Sequence, residues 1–280
     1  MTATGTREGE IRTGDTAALE VRDVSVRFGG VPVLSEVNLT VPPASRVGLV
    51  GPNGAGKTTM FQVMSGFLVP DSGSVILNGQ DVTKRAAHVR ARGGLARTFQ
   101  HPEVFETMTV VDQLTLSLRL RTSPGRVWSD LLSPRGWQTT ARGEGDRVGE
   151  IIELLGLQPF AHREVQSVPF GIARLVEVGA ALIARPRVVL LDEPSAGLDS
   201  RETRELAEAI ERVASHDDVA VLLVEHDLDF VLNMAELVYV LNFGVMIASG
   251  TPAEIRAHTD VQDAYLGTRA SDSQQQASAQ

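Results

Sequence analysis

The sequence predicts an α/β fold, a mostly parallel sheet with helices packed on it, interrupted midway by a helical insertion. Three observations lead there. A short apolar run, Arg46 to Val50 (R-V-G-L-V), feeds through a glycine-rich turn into a helical run that continues over Met60 to Met64. From about Ala173 to Val224, helical and strand patterns alternate, as they do when parallel strands are joined by crossover helices. Between Val110 and about Gln166 the patterning is helical, broken at Pro124-Gly125, Pro134 and Gly136.

Taken in order, Met1 to about Ala17 is rich in Thr, Gly and Glu without periodicity and is expected to be a flexible arm. Leu19 to Phe28 (L-E-V-R-D-V-S-V-R-F) alternates like a half-buried strand, and Ser35 to Val41 suggests a second. Ser74 to Leu77 runs into the turn signal Asn78-Gly79. Inside the insertion, Val148 to Leu155 (V-G-E-I-I-E-L-L) is the clearest amphipathic piece. A helix near Ala173 to Ala184, a strand at Val188 to Leu191, a helix at Glu202 to Ala214 and a strand at Val219 to Val224 follow. The polar, low-complexity stretch from Arg269 to Gln280 is expected to be disordered.

Bulk properties narrow the function classes. The 280 residues, 42% hydrophobic and 22% charged, suffice for a large core. Thirty-five acidic against 26 basic side chains give a net charge of −9, which argues against a nucleic-acid partner. There is no cysteine, so thiol catalysis, disulfides and cysteine-held metals are excluded. The longest apolar runs, such as Val219 to Val224, fall far short of the ~18 residues a membrane span needs. No basic-then-apolar leader pattern opens the chain. A cytoplasmic protein is expected, one that acts at a membrane only by docking on something already there.

The strongest chemical signal is G-P-N-G-A-G-K-T-T: Gly51, Pro52, Asn53, Gly54, Ala55, Gly56, Lys57, Thr58 and Thr59. It fits G-x-x-x-x-G-K-[ST] between a strand and a helix. Glycines let the backbone curl so that its N–H groups point inward at anionic oxygens, and the helix start adds its positive dipole end. Lys57 supplies a cation for β- and γ-phosphates, and Thr58 a hydroxyl for Mg²⁺.

A second signal is R-V-V-L-L-D-E-P, Arg187 to Pro194, in which a buried strand ends in two carboxylates. Ligands of open α/β sheets bind at that edge. Asp192 is suited to hold Mg²⁺ through water, and Glu193 to polarise a water attacking a γ-phosphate; alone, such a strand end could equally be a solvated loop. Third, V-L-L-V-E-H-D, Val221 to Asp227, delivers His226 to the same edge, where an imidazole can donate a hydrogen bond to the γ-phosphate.

These motifs, with Gln100 in R-T-F-Q and S-A-G-L-D (Ser195 to Asp199), stand in the order found in ATP-binding-cassette ATPases, and the resemblance covers roughly Leu19 to Gly267. It implies a P-loop NTPase with a mostly parallel RecA-like sheet, an N-terminal antiparallel β subdomain and a helical subdomain inserted at about 102–172, the whole domain spanning 18–268. It implies ATP and Mg²⁺ as ligands. Phe28 resembles the aromatic that stacks on adenine, though a strand-end Phe can also be core. Gln100 resembles the residue that touches Mg²⁺ and the attacking water, and Asp199 the aspartate that communicates between two ATPase subunits.

One motif departs from the family. The signature, usually L-S-G-G-Q, aligns with V-P-F-G-I, Val168 to Ile172. In the family this segment binds the γ-phosphate held by the opposite subunit, which gives Phe170 and Gly171 that part here. Pro169 replaces the serine and Ile172 the glutamine, removing a hydrogen bond worth about 1.5–3 kcal/mol to a charged group. Slower hydrolysis at the site closed by this segment is the expectation.

Finer features resemble the ATPases of branched-chain amino-acid importers: A-R-T-F-Q (Ala96 to Gln100), V-E-H-D-L-D-F-V (Val224 to Val231), V-Y-V-L-N-F-G-V-M-I-A-S-G-T-P-A-E-I (Val238 to Ile255) and A-Y-L-G (Ala264 to Gly267). The resemblance implies a second ATPase subunit, a paralogue or another copy, facing this one head to tail. It also implies two transmembrane permease subunits, an external solute-binding protein, and a location on the inner face of the cell membrane. The permease's coupling helix is expected between Gln100 and Leu118, where Val104, Phe105 and Met108 are either docking residues or core. Branches handling urea, amides or lipids share much of this pattern, and a regulatory cassette that transports nothing is a further alternative.

Overall fold

Apolar strands buried on both faces form the centre of the molecule. The computed structural model describes residues 16–98, 105, 107–122 and 143–265. Gln100, Val104, the breaks expected between 124 and 136, Leu266, Gly267, residues 1–15 of the arm expected at 1–17 and the tail expected at 269–280 lie outside the described residues.

Among the described residues, one sheet holds six strands in the order β10-β9-β3-β8-β7-β6. These are β3 (Arg46–Val50), β6 (Leu95–Arg97), β7 (Val188–Asp192), β8 (Ala220–Glu225), β9 (Leu237–Asn242) and β10 (Val245–Gly250). All pairings are parallel except that of β10 with β9. Successive residues point to opposite faces. Val188 and Leu190 therefore join one apolar cluster and Val189 and Leu191 the other. Burial on both faces explains the unbroken runs V-V-L-L and A-V-L-L-V.

The second sheet is antiparallel, in the order β2-β1-β4-β5, from β1 (Leu19–Phe28), β2 (Val31–Val41), β4 (Ser72–Leu77) and β5 (Gln80–Asp81). Asn78 and Gly79, both at positive φ, make the two-residue turn between β4 and β5. This sheet and helix α1 (Lys57–Ser65) cover one face of the six-stranded sheet. Arg90, fully buried in α2 (Ala87–Arg92), donates to the carbonyls of Val63 and Met64 at 2.7 and 2.8 Å and so closes the C-terminal end of α1.

Helices cover the other face: α3 (Val110–Thr122), α4 (Glu144–Leu154), α5 (Phe170–Leu182), α6 (Ser200–Asp217), α7 (Leu228–Met234) and α8 (Pro252–Ala257). In α6 the buried residues are Leu206, Ala209, Ile210, Val213 and Ala214, one helical stripe. Arg119 of α3, itself buried, pairs with Glu144 of α4 at 3.0 Å. Arg147 of α4 donates to the carbonyl of Ile183 just past α5 at 2.8 Å and pairs with Asp217 of α6. No helix among the described residues is long and apolar enough to cross a membrane.

Several element boundaries differ from the sequence reading, two of them for a definite reason. Helix α5 starts at Phe170 rather than near Ala173, because the carbonyl of Pro169 accepts from the N–H groups of Ile172 and Ala173, both at 3.0 Å. Strand β2 starts at Val31 rather than Ser35, since pairing with β1 runs to the Gly29-Gly30 turn.

Candidate active site

Register places the functional residues. In the parallel sheet Val50 pairs with Glu225 and Asp192 with Val224, so β3, β7 and β8 end level with one another. The Gly51–Thr59 loop, Glu193 and His226 all leave the sheet from that C-terminal edge, where α/β folds bind ligands.

The loop is held from behind. A Cβ on Gly51 would lie 2.1 Å from the carbonyl oxygen of Leu241, so only glycine fits against β9. Gly56 has φ 105°, a left-handed conformation that turns the chain into α1. No side chain caps that helix start and no acidic residue stands in its first turn, which leaves the dipole end to an anion. Lys57 is 7% exposed, and its ammonium donates to the carbonyls of Gly51 at 2.6 Å and Pro52 at 3.1 Å. Burial lowers its pKa, opposed by the nearby charges of Glu193, Glu225 and Asp192. Thr58 is exposed at the same place.

The acidic side of the site is crowded. Asp192 is pushed up to about 6, first by burial and then by Glu193 and Glu225, with Arg97 and Lys57 opposing. Its N–H donates to the buried Thr98 hydroxyl at 3.1 Å. Glu193 takes a left-handed backbone, φ 44°, while its N–H still bonds the Val224 carbonyl at 2.8 Å. For a residue with a side chain that conformation costs about 1–2 kcal/mol, and the ladder bond to β8 helps to hold it. The half-exposed ring of His226 brings Nδ1 to 3.6 Å from Glu193 Oε1. Lys57, Asp192, Glu193 and His226 thus converge as the motifs indicate.

A second grouping lies around the start of α5. The ring of Phe170, half exposed, packs where a Cβ on Gly197 would be 3.1 Å away, and Gly171 faces the Glu202 carboxylate. Asp199 caps α6, accepting from the N–H groups of Arg201 and Glu202 at 2.8 Å, while Glu202 accepts from the Asp199 N–H. Asp199 therefore has a local structural task that the motif alone did not suggest. Phe28 is 51% exposed at the end of β1, which removes the core alternative. Phe105 is 59% exposed and Met108 partly buried, so Phe105 is not core either.

Glu225 was missed by the sequence reading. It is fully buried, accepts from the N–H and the hydroxyl of Ser195 at 2.9 and 2.6 Å, and is raised in pKa by burial. An acidic residue ending an otherwise apolar buried strand was the available signal. Elsewhere, Glu150, His216 and Asp217 lie close enough to suggest a metal site, but Arg147 and Arg185 already pair with both carboxylates. That cluster is an ion-pair network.

The ABC transporter family profile matches residues 34–196, more than half of the chain. The chain belongs to the ABC transporter family. As a cassette of that family it binds nucleotide and is an ATPase. A second profile, that of the branched-chain amino acid ATP-binding cassette transporters, matches residues 245–271. The cassette is 37% identical over 249 residues to LivG of Escherichia coli strain K12, a high-affinity branched-chain amino acid transport ATP-binding protein, covering 89% of this chain and 97% of LivG. It is 36% identical over the same shares to BraF of Pseudomonas aeruginosa, which carries the same description. To LptB of Escherichia coli strain K12, a lipopolysaccharide export system ATP-binding protein, it is 33% identical, over 90% of this chain and 98% of LptB. Among solved structures, an ATP-binding cassette of an ABC transporter in its ADP conformation superposes with TM-score 0.77 at 27% identity, over 90% of this cassette and 99% of that chain.

Proposed function

We propose that this cassette is the ATP-hydrolysing subunit of an importer for branched-chain or related amino acids, and that Glu193 and His226 carry its hydrolytic step. What supports the chemistry is their convergence at 3.6 Å beside Lys57, at the edge where the phosphate loop opens. Inward loop N–H groups and the start of α1 receive the phosphates, and Lys57 moves from the loop carbonyls to the β- and γ-oxygens. The Glu193 carboxylate accepts a proton from the attacking water, and His226 donates to the γ-phosphate as charge builds there. Phe28 offers an exposed ring for the base.

Thr58 and Asp192, with Gln100, would hold Mg²⁺. The donor set fits: hard oxygens, at an edge where the carboxylates of Asp192, Glu193 and Glu225 outnumber the cations Lys57 and Arg97, leave an excess of negative charge that a divalent cation would relieve. When bound, the ion neutralises the β- and γ-oxygens.

In this reading a second cassette, paralogue or copy, faces the first head to tail. Phe170 and Gly171 then reach the γ-phosphate bound by the partner, and Asp199 lies at the seam. The pair sits on the inner face of the cell membrane beneath two transmembrane permease subunits, which receive cargo from an external binding protein. A cavity of about 520 Å³, lined by Arg97, Phe105, Gln113, Leu116, Leu120 and Glu177, offers the permease's coupling helix a largely apolar seat.

The match at residues 245–271 and the identity to LivG and BraF favour amino acids as cargo. Uptake of labelled leucine, isoleucine and valine by cells lacking this chain, complemented with wild type or Lys57→Ala, tests it. Restoration by wild type alone is expected. Uptake that does not depend on the chain, with a defect in lipid, urea or amide transport instead, would contradict the cargo while leaving the ATPase reading intact.

A further inference from the structure

We propose that Glu225 is a positioning residue, holding His226 and the Ser195–Asp199 segment in register so that the hydrolytic step at Glu193 is tied to the edge formed by Phe170, Gly197 and Asp199. The inference rests on the reading that Glu193 and His226 carry turnover.

Every residue of β8 is buried, and Glu225 is its one carboxylate, with no exposed surface. Removing a carboxylate from water is costly unless its oxygens are satisfied by donors. Its two oxygens serve two different parts of the site. Oε1 accepts the Ser195 N–H at 2.9 Å and the Ser195 hydroxyl at 2.6 Å. Oε2 accepts the His226 N–H at 3.3 Å and lies 3.7 Å from His226 Nδ1. The same Nδ1 is 3.6 Å from Glu193, so the ring stands between a partly exposed carboxylate and a fully buried one.

From Ser195 the connection continues outward. The Leu198 N–H bonds the Ser195 carbonyl at 3.1 Å, closing the turn that sets Gly197 against the Phe170 ring and brings Asp199 to the head of α6. One buried side chain therefore fixes both the histidine of the hydrolytic edge and the first residue of the segment leading to the second grouping. Glutamine in its place keeps the size but offers one acceptor oxygen and an NH₂ group, so Ser195 and His226 cannot both keep their partner.

The test uses the full chain with Glu225→Gln, Ser195→Ala and the double variant. It reads phosphate release, nucleotide Kd, and backbone amide exchange over residues 193–199 and at His226. Expected for Glu225→Gln are a kcat lowered about tenfold or more, a Kd within about twofold of wild type, and faster exchange at Ser195 and His226. The double variant should be no slower than Glu225→Gln alone, because both changes break the same link. Wild-type kcat and exchange in Glu225→Gln overturn the proposal, as does a Kd that weakens in step with kcat or an additive double variant. If Glu225→Gln does not fold, Ser195→Ala decides, with lowered kcat at unchanged Kd expected and a wild-type rate contradicting. A wild-type chain that binds nucleotide but releases no phosphate contradicts the hydrolysis reading instead, and unchanged exchange at Ser195 then still refutes the role of Glu225.

Discussion

His226 Nδ1 lies 3.6 Å from Glu193 Oε1, a contact that joins the ends of two neighbouring parallel strands. Neither residue is adjacent to the other in sequence, and each follows a strand whose register is fixed by five paired positions. The ring is half exposed, so it can face a ligand while touching Glu193. His226→Ala should lower kcat for phosphate release by about 10²–10³-fold, the usual effect of losing one aligned donor, with Kd for nucleotide within about threefold of wild type. A parallel loss of binding would mean that His226 shapes the pocket rather than the reaction.

Asp192 makes stability depend on pH in a definite direction. Its pKa is raised from an unfolded-state value near 3.8 to about 6 in the folded protein, mainly by burial and then by Glu193 and Glu225. The folded state thus binds more protons than the unfolded one across that window. The resulting stabilisation is full below about pH 4 and lost as pH rises through about 6; it amounts to at most about 3 kcal/mol, reduced by solvent screening of this partly exposed group. Asp192→Asn, which cannot ionise, should melt above the nucleotide-free wild type at pH 8, and the gap should shrink toward pH 4. A gap that widens toward acid in thermal melts would reverse the assignment.

Arg147 ties the helices beyond the sheet together. Its guanidinium meets Asp217, whose side chain is almost wholly buried, and the carbonyl of Ile183. Arg147→Ala leaves that carboxylate without its buried partner and should cost about 3–5 kcal/mol in chemical denaturation. A cost below about 1 kcal/mol would show that Arg185, 3.1 Å from Asp217, suffices.

Legibility in the sequence followed physical locality. Strand, turn and helix around Gly51–Thr59 could be read because glycine positions and an apolar run are local signals. The buried parallel strands β3, β7 and β8 are equally plain, since burial on both faces leaves no polar interruption. Glu225 was not singled out because its meaning comes from Ser195, thirty positions earlier and brought near only by sheet order. The capping task of Asp199 was hidden behind its motif, although Glu202 three residues on is the partner such a cap requires. The hairpin of β9 and β10 is legible in the sequence only through its resemblance, because half of its turn, Phe243, takes a positive φ that its residue type does not announce; Gly244 takes the other half.

The central claim is that Glu193 is the base for ATP hydrolysis at this chain's own phosphate loop, and phosphate release by Glu193→Gln beside wild type is its most direct test. Glutamine preserves size and hydrogen bonding but removes the proton acceptor. The rate should fall at least about 10²-fold while nucleotide still binds within about threefold of wild type. Equal rates for the two proteins would contradict it.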